Sequence, residues 1–484
     1  MIEFLQRMAH GLRAMNMNFG LVLSAILLPN AAMHLAAWVA STPRGLYVLD
    51  YVIFALIIEA AAATRTRLLL VPVAAIALFI ATAGELMQHL GNVFLFDLRQ
   101  VVNYLDFVDE WPLGLVVSGL VIFAFYLMLI VWLSVRTSGR STQTKSIASI
   151  SGVVFCLILP IALLIGERAL DAYGRPNLAE IKIGQTAYMA VNILDDPVAE
   201  PFGEATMHSA LTTGTHLPNH ILSIPFESLG ALNEGTDDYL AIITRRFNAL
   251  LEPDYVITFD TRRFTGSTLT AEIRELCSIK MTGAADKKFA ASLATNCLPR
   301  FLNARGYVTH AAHGYYAQFY NRHEIYPALE FDKFHTRQKT EASPTMAALL
   351  SSRNMAAYCD GLRYFKGPCD APLTAYVLEE MKNDEKSFGH IMTKDLHFPF
   401  PRFSNETVTC ETGVLAEIAD YCAYVKFAEL IFFEIGTVIA AADRKPDLIF
   451  IYGDHRPHTE NPALRKIFSQ THVPVITLKR KTTD

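Results

Sequence analysis

The sequence predicts a chain in two parts: an α-helical transmembrane domain with five spans, followed by an α/β domain. Two observations support this fold class. Long apolar stretches fill the first third of the chain, where acidic and basic residues are sparse. In the remainder, short β-rich runs alternate with helical patterns, as in a sheet covered by helices.

Five stretches are long and apolar enough to cross a bilayer, which takes about 20 residues. They lie at 18–40, 46–63, 67–84, 113–135 and 147–166. We therefore predict a transmembrane domain over residues 1–166, in which the first span is an uncleaved anchor.

Positive charges beside the spans predict their orientation. They lie before the first span, between the second and third, and between the fourth and fifth; they are Arg7, Arg13, Arg65, Arg67, Arg136, Arg140 and Lys145. All of them fall on one side if the spans alternate, and the positive-inside rule makes that side cytoplasmic. An odd number of spans then places everything after residue 166 outside the cytoplasm.

Composition and cysteine spacing agree with this placement. Hydrophobic residues make up 52% of the chain and charged residues 18%. The net charge of -5 and the lack of a Lys/Arg run predict no nucleic-acid partner. Six cysteines follow the last span in three sequence-local pairs: Cys277, Cys297, Cys359, Cys369, Cys410 and Cys422. An even count outside the cytoplasm predicts disulfides, with buried free thiols as the alternative; spacing alone leaves the connectivity open.

Residues 167–205 are predicted to be a linker and residues 206–484 a single α/β domain. Strands are predicted at 220–226, 255–259, 447–452 and 473–478, and helices at 270–277 and 414–441. The pattern favours a largely parallel sheet, which would bind its ligands beyond the carboxyl ends of its strands.

Four side chains predict one metal site. Glu227, Asp454 and His455 directly follow predicted strands, and carboxylate with imidazole suits zinc or manganese. Thr268 follows Gly266 near a helix start, where an anion is stabilised. A divalent cation would lower the pKa of the threonine hydroxyl and make it a nucleophile. The alternative is that Thr268 or Thr270 only caps the helix.

Five short motifs, in order, resemble those of one enzyme family. They are IPFESL at 224–229, GSTLTAE at 266–272, HG at 313–314 with FYNR at 319–322, LHFPF at 396–400 and YGDH at 452–455. The chain is similar in these motifs to the membrane-anchored phospho-alcohol transferases of the alkaline phosphatase/sulfatase superfamily. Within these it resembles most the lipoteichoic acid synthases and the osmoregulated periplasmic glucan phosphoglycerol transferases.

The resemblance implies a multi-pass protein of the bacterial inner membrane with a sulfatase-like domain in the periplasm. It implies that phosphoglycerol passes from a membrane phospholipid to a cell-envelope glycan through a phospho-threonine on Thr268, with one divalent ion, zinc or manganese. It implies further that Tyr320 and Arg322 hold the substrate, and that His397 contacts the phosphoryl group or protonates the leaving group. Without the resemblance, Arg322 suits a surface ion pair and His397 a structural histidine.

The transferred head group and the reaction class have alternatives. Tyr320 stands where the lipoteichoic acid enzymes carry tryptophan, and Ser267 where they carry lysine. The cysteine-rich pattern is more similar to phosphoethanolamine transferases that act on lipopolysaccharide or another glycan. A sulfatase or phosphatase is less favoured, because no formylglycine motif surrounds Thr268. A non-enzymatic sensor is disfavoured by the intact set of predicted metal ligands.

Overall fold

In the computed structural model, the described residues are 198–481, with gaps at 205, 215, 265, 283–284, 353–366, 398–399, 401–407, 411–414, 416 and 458–461, and the earlier positions 47, 48, 73, 76, 181 and 182. The chain divides into two units, residues 1–93 with 105–195 and residues 94–104 with 196–484.

The first unit contains one described pair of short strands. Tyr47–Val48 pairs in parallel with Ile181–Lys182, so the first residues of the span predicted at 46–63 are extended. Among the described residues, no helix has the length and apolar character needed to cross a membrane. The five predicted spans lie outside the described residues, except at those first residues and at positions 73 and 76.

The second unit is built on a seven-stranded sheet. The strands in chain order are β1 (Val198–Pro201), β2 (His220–Phe226), β3 (Tyr255–Arg263), β4 (Ile279–Thr282), β5 (Val308–His313), β6 (Lys333–His335), β7 (Ser387–Met392), β8 (Leu448–Gly453) and β9 (His472–Arg480). The order in the sheet is β3-β9-β8-β2-β7-β5-β6, and β1 pairs separately with β4. Pairing is parallel from β8 to β6, and β9 runs antiparallel to both of its neighbours, β8 and β3. The predicted, largely parallel sheet is therefore confirmed.

The described helices of this unit connect the strands. They are α1 (Met207–Thr213), α2 (Thr236–Leu251), α3 (Thr268–Cys277), α4 (Lys287–Leu293), α5 (Leu298–Asn303), α6 (Arg322–Ala328), α7 (Arg337–Glu341), α8 (Pro344–Ser352), α9 (Asp370–Met381), α10 (Ala419–Ala440) and α11 (Pro462–Ile467). Helix α3 begins two residues before its predicted start. The strand predicted at 255–259 extends to Arg263, because β9 pairs with it along that whole length.

Helices cover both faces of the sheet. Alternate residues of β2 enter different cores: Leu222 and Ile224 pack with side chains of α2, α9 and α10, whereas Ile221 packs with side chains of α1, α3 and α5. A strand buried on both faces is apolar at nearly every position. This explains why β2 and β8 are continuous apolar runs in the sequence.

The register of the parallel strands aligns their carboxyl ends. Phe226, the last residue of β2, is opposite Gly453, the last residue of β8. On the other side of β2, His313 at the end of β5 is opposite Met392 at the end of β7. The residues that follow these four strands therefore meet at one edge of the sheet.

Two disulfides lie within the described residues. Cys277 at the end of α3 is bonded to Cys297, and Cys410 is bonded to Cys422 in α10. Both are sequence-local pairs; the spacing predicted disulfides and left their connectivity open. Cys369 is also disulfide-bonded, and Cys359 lies outside the described residues.

Candidate active site

Three buried side chains meet where β2 and β8 end. Glu227 follows β2, and Asp454 and His455 follow β8. One ligand atom from each lies within 4.8 Å of the others. The parallel register places these residues side by side, so the predicted strand-end cluster is present.

Hydrogen bonds around Ser228 orient the two carboxylates. The Ser228 hydroxyl donates to Glu227 Oε1 at 2.8 Å, and its backbone N–H donates to Asp454 Oδ1 at 2.8 Å. The His455 N–H donates to the same Oδ1 at 2.6 Å. Ser228 has a φ of 56°, a left-handed conformation that is uncommon away from glycine. The sharp turn lets one residue contact both acids.

Lone pairs converge in the cluster. His455 Nδ1 lies 2.9 Å from the Arg456 carbonyl oxygen, which only accepts, so Nδ1 carries a hydrogen. In the neutral ring, the lone pair is then on Nε2, 3.2 Å from Asp454 Oδ2 and 3.6 Å from Glu227 Oε1. Asp454 Oδ2 is buried and has no hydrogen-bond partner among the described residues.

The electrostatics of the cluster favour a cation. Burial, and next the charge of Asp454, raise the pKa of Glu227 well above its ordinary value. Two buried carboxylates and an imidazole nitrogen form an acceptor-rich set that a divalent ion compensates. Glu227, Asp454 and His455 therefore fit the predicted metal site.

Thr268 lies against this cluster. It is the first residue of α3 and only 4% exposed, and its Oγ1 is 3.3 Å from His455 Nε2. Ser267 occupies the N-cap position, and no side chain caps this helix. The capping alternative for Thr268 is therefore wrong, and its hydroxyl lies beside His455 instead.

Gly266 shapes the loop before α3. Its φ of 86° is left-handed, and a Cβ at this position would lie 2.6 Å from Thr270 Oγ1. Glycine is therefore needed for the turn that delivers Thr268 to the cluster.

Tyr320 and Arg322 lie in the segment after β5. The Tyr320 hydroxyl hydrogen-bonds the Thr268 side chain, and burial followed by the charge of Glu227 raises its pKa. The Arg322 guanidinium carbon is 5.1 Å from the centre of the Tyr320 ring. Its positive charge also acts on Glu227, whose pKa it lowers against the effect of burial. The structure thus brings both predicted substrate-binding residues to Thr268.

The environment of Arg322 differs from a surface ion pair. Its side chain is fully buried, and it donates to Glu272 Oε1 from Nη2 at 2.6 Å and from Nε at 3.2 Å. Its Nη1 donates to the Phe319 carbonyl oxygen at 3.3 Å. Glu272 belongs to the GSTLTAE motif, but the sequence assigned it no role.

His397 lies on the turn that follows β7 and is half-buried. Its backbone N–H donates to the Lys394 carbonyl oxygen at 3.2 Å. Earlier in the same turn, Thr393 Oγ1 accepts from the Glu227 N–H at 2.7 Å. The turn is therefore linked to Glu227, and the contact of His397 with substrate stays a prediction.

His313 completes this edge of the sheet at the end of β5. Its Nδ1 is 3.2 Å from the Met392 carbonyl oxygen, and its Nε2 is buried without a partner in the described part of the chain. Burial, and next the charge of Arg322, lower its pKa well below the ordinary value. It is thus a neutral imidazole with an acceptor nitrogen. The sequence signal for it was the HG motif at 313–314.

The fold and the strand-end cluster agree with a family-level match. The family model described as sulfatase matches residues 219–482, which is more than half of the chain. The chain belongs to the sulfatase family. The match spans every strand of the seven-stranded sheet and every residue of the cluster.

Solved structures similar to this sulfatase-family protein include three bacterial enzymes. The lipoteichoic acid synthase LtaP from Listeria monocytogenes is 17% identical, with a TM-score of 0.37, over 54% of this chain and 65% of that chain. The phosphoglycerol transferase GacH from Streptococcus pyogenes is 14% identical, with a TM-score of 0.37, over 57% and 69%. The integral membrane lipooligosaccharide phosphoethanolamine transferase A from Neisseria meningitidis is 12% identical, with a TM-score of 0.44, over 96% and 88%.

Coverage differs among these comparisons. The sulfatase-family protein spans slightly less than two thirds of the Listeria chain. No curated protein is similar enough in sequence to match it.

Proposed function

We propose that this sulfatase-family protein transfers a phospho-alcohol group, phosphoglycerol, from a membrane phospholipid to a cell-envelope glycan through a phospho-threonine on Thr268. The observation that carries the proposal is the Thr268 hydroxyl, 3.3 Å from His455 beside two buried carboxylates. A hydroxyl held next to a cation site suits nucleophilic displacement at phosphorus. Phosphoethanolamine is the second candidate group, favoured by the disulfides of the domain.

One divalent ion, zinc or manganese, belongs to this proposal. Glu227, Asp454, His455 and the Thr268 hydroxyl would hold it. Asp454 Oδ2, which has no hydrogen-bond partner in the described part of the chain, and the Nε2 lone pair of His455 are in keeping with this. When bound, the ion lowers the pKa of the Thr268 hydroxyl and neutralises charge on phosphoryl oxygens.

The chain's own residues support two in-line steps. Thr268 Oγ1, having lost its proton, forms a bond to the lipid phosphorus; the bond from phosphorus to the diacylglycerol oxygen breaks, and that oxygen takes up a proton. His397 is proposed to supply this proton. In the second step a glycan hydroxyl gives its proton to His397, which the first step left deprotonated, and attacks the phosphorus. Thr268 Oγ1 leaves and takes back from water the proton that it had released to water. Arg322 and the N-terminus of α3 would hold the phosphoryl oxygens.

The proposed location follows from the predicted spans. A domain tethered on the periplasmic side of the inner membrane has a high effective concentration of a lipid donor that stays in the bilayer. A water-soluble donor would gain nothing from the tether.

Mass spectrometry of Thr268 tests the proposal. Purified protein with manganese or zinc is incubated with phosphatidylglycerol or phosphatidylethanolamine, and the peptide that contains Thr268 is examined for a phospho-alcohol adduct. We expect an adduct from phosphatidylglycerol and release of diacylglycerol, and loss of both in Thr268→Ala. Thr270→Ala, two residues along the same helix, should retain them.

Each other outcome has a defined meaning. An adduct only from phosphatidylethanolamine would change the transferred group but keep the mechanism. Turnover of lipid by Thr268→Ala at the wild-type rate would overturn the proposal.

A further inference from the structure

Glu272 is buried one helical turn after Thr268, and its carboxylate is the centre of a polar cluster. Besides Arg322, it accepts from the Tyr326 hydroxyl and lies 3.2 Å from His390 Nε2. These partners belong to α6 and β7, so the carboxylate joins the nucleophile helix to two other elements. The Glu272 and Arg322 side chains are both fully buried.

The charges of this cluster are balanced. Burial alone would raise the pKa of Glu272, but Arg322 and His390 outweigh it and hold the pKa at about 2. The carboxylate is therefore ionised at neutral pH, and its Oε1 accepts two N–H groups of the guanidinium. Removal of either partner would leave an uncompensated buried charge.

The contacts form a closed path around the nucleophile. Helix α3 connects Thr268 to Glu272, and Glu272 holds Arg322. Arg322 lies against the Tyr320 ring, and the Tyr320 hydroxyl returns to Thr268. A change in the position of the Arg322 guanidinium would therefore shift the Thr268 hydroxyl.

Two N–H groups of Arg322 remain available to bind substrate. A guanidinium has five N–H donors. Nε and one N–H of Nη2 are directed to Glu272, and one N–H of Nη1 to Phe319. One N–H on Nη1 and one on Nη2 are left without a protein acceptor among the described residues. Two N–H groups, one on each terminal nitrogen, can donate to two oxygens of a phosphoryl group.

We propose that Glu272 is a positioning residue: its carboxylate fixes the Arg322 guanidinium so that the two remaining N–H groups bind phosphoryl oxygens beside Thr268. This inference rests on the proposed function, because it assigns the phosphoryl group to the same site. Glu272 itself touches no reacting atom. It acts through Arg322, and Arg322→Lys would lose the two-pronged contact with both Glu272 and phosphate.

Glu275 offers a matched control on the same helix. It is also fully buried and ionically paired, with Arg262 and Arg274, and it accepts from the Met207 N–H at 2.8 Å. None of these partners belongs to the path around Thr268. If both buried glutamates of α3 only stabilised the fold, Glu275→Gln and Glu272→Gln would have equal effects on phosphate binding.

Binding of inorganic phosphate to the manganese-loaded full-length protein tests the inference by calorimetry. We expect Arg322→Met to weaken phosphate binding about a hundredfold and Glu272→Gln about tenfold, the sizes of lost or misdirected charged hydrogen bonds. The double variant should bind no more weakly than Arg322→Met alone, because the two residues act as one unit. Glu275→Gln should stay within about twofold of wild type at equal metal occupancy.

Chemical rescue separates positioning from folding. In Arg322→Ala, millimolar guanidinium should restore part of the phosphate binding, because the intact carboxylate holds the added cation in place. The same addition should fail in Arg322→Ala with Glu272→Gln. Circular dichroism verifies that each variant is folded, and Glu272→Asp replaces Glu272→Gln if the latter does not fold.

Failure of this inference and failure of the proposed function give different results. Wild-type affinity in Glu272→Gln, equal losses in Glu272→Gln and Glu275→Gln, or no phosphate binding by wild type would each overturn the inference. Coupled phosphate binding without an adduct on Thr268 would support the positioning role and reject the transferase.

Discussion

Gly453 lies where the backbone leaves no space for a side chain. It ends β8 and directly precedes Asp454, and a Cβ built on it would lie 1.9 Å from the Leu229 carbonyl oxygen. The obstacle is backbone on the turn after β2, which cannot swing away as a side chain does. The strand-end cluster of Glu227, Asp454 and His455 depends on the close approach of the two strand ends. This approach therefore requires glycine at position 453.

We expect Gly453→Ala to lower the free energy of unfolding by about 3 kcal/mol, because the two turns must separate. The same separation should weaken metal binding. Denaturant unfolding and metal titration measure the two effects. Gly203→Ala is the control, since nothing lies within 4 Å of a Cβ at that position; an equal effect there would show that the contact with Leu229 is irrelevant.

The pKa of Glu272 predicts how stability depends on acid. A carboxyl group with a pKa of about 2 in the folded protein and an ordinary value of 4.5 contributes stability that is present above pH 4.5 and is lost as the pH falls towards 2. The wild-type advantage over Glu272→Gln should shrink by about 3 kcal/mol across this window. Unfolding of both proteins at a series of pH values measures it, and a constant difference would contradict an ionised Glu272.

At the scale of elements, α10 anchors strand β2 of the sheet. Phe432 in α10 is fully buried, stacks on Phe226 with ring centres 4.5 Å apart, and meets the edge of Phe247 at 5.5 Å. Phe226 immediately precedes Glu227, so this packing supports the end of β2. The helix thus contributes to the site without contacting it.

Phe432→Ala should cost about 3–5 kcal/mol in stability, through lost burial and a residual cavity. Phe259→Ala, at a position 40% exposed on the edge strand β3, should cost less than about 1 kcal/mol. Thermal and denaturant unfolding compare the two. Similar losses at the two positions would mean that α10 does not anchor β2.

At the scale of the whole domain, the sheet collects functional groups from distant parts of the sequence. Ser228 and Asp454, hydrogen-bonded at 2.8 Å, are 226 residues apart along the chain. Assembly of the cluster therefore requires the folded sheet, and an ion bound there stabilises the folded state alone.

Manganese or zinc at a hundred times its dissociation constant should stabilise the protein by about 3 kcal/mol. A chelator should reverse the gain. Glu227→Gln with Asp454→Asn should abolish it, whereas Glu275→Gln should keep it. Thermal unfolding with and without metal provides the measurement, and a gain that survives the double substitution would place the ion elsewhere.

Patterns within a few residues were enough for much of the domain. Strands β2 and β8 were predicted because each is a buried apolar run. The acids were predicted as strand-end residues because they follow these runs. Both signals lie within a few neighbouring residues. The same reasoning located Thr268 at the start of α3. It left helix capping open, because a threonine at a helix start has the same local signature in both roles.

By itself, the sequence determined the α/β domain, the acid-bearing strand ends and the threonine beside a helix. Only the tertiary structure decided that β2 and β8 are neighbours in register, that Thr268 faces His455, and that Arg322 is clamped by Glu272. The physical reason is that these contacts join residues far apart in the chain, and their geometry is set by the packing of the whole sheet and its helices.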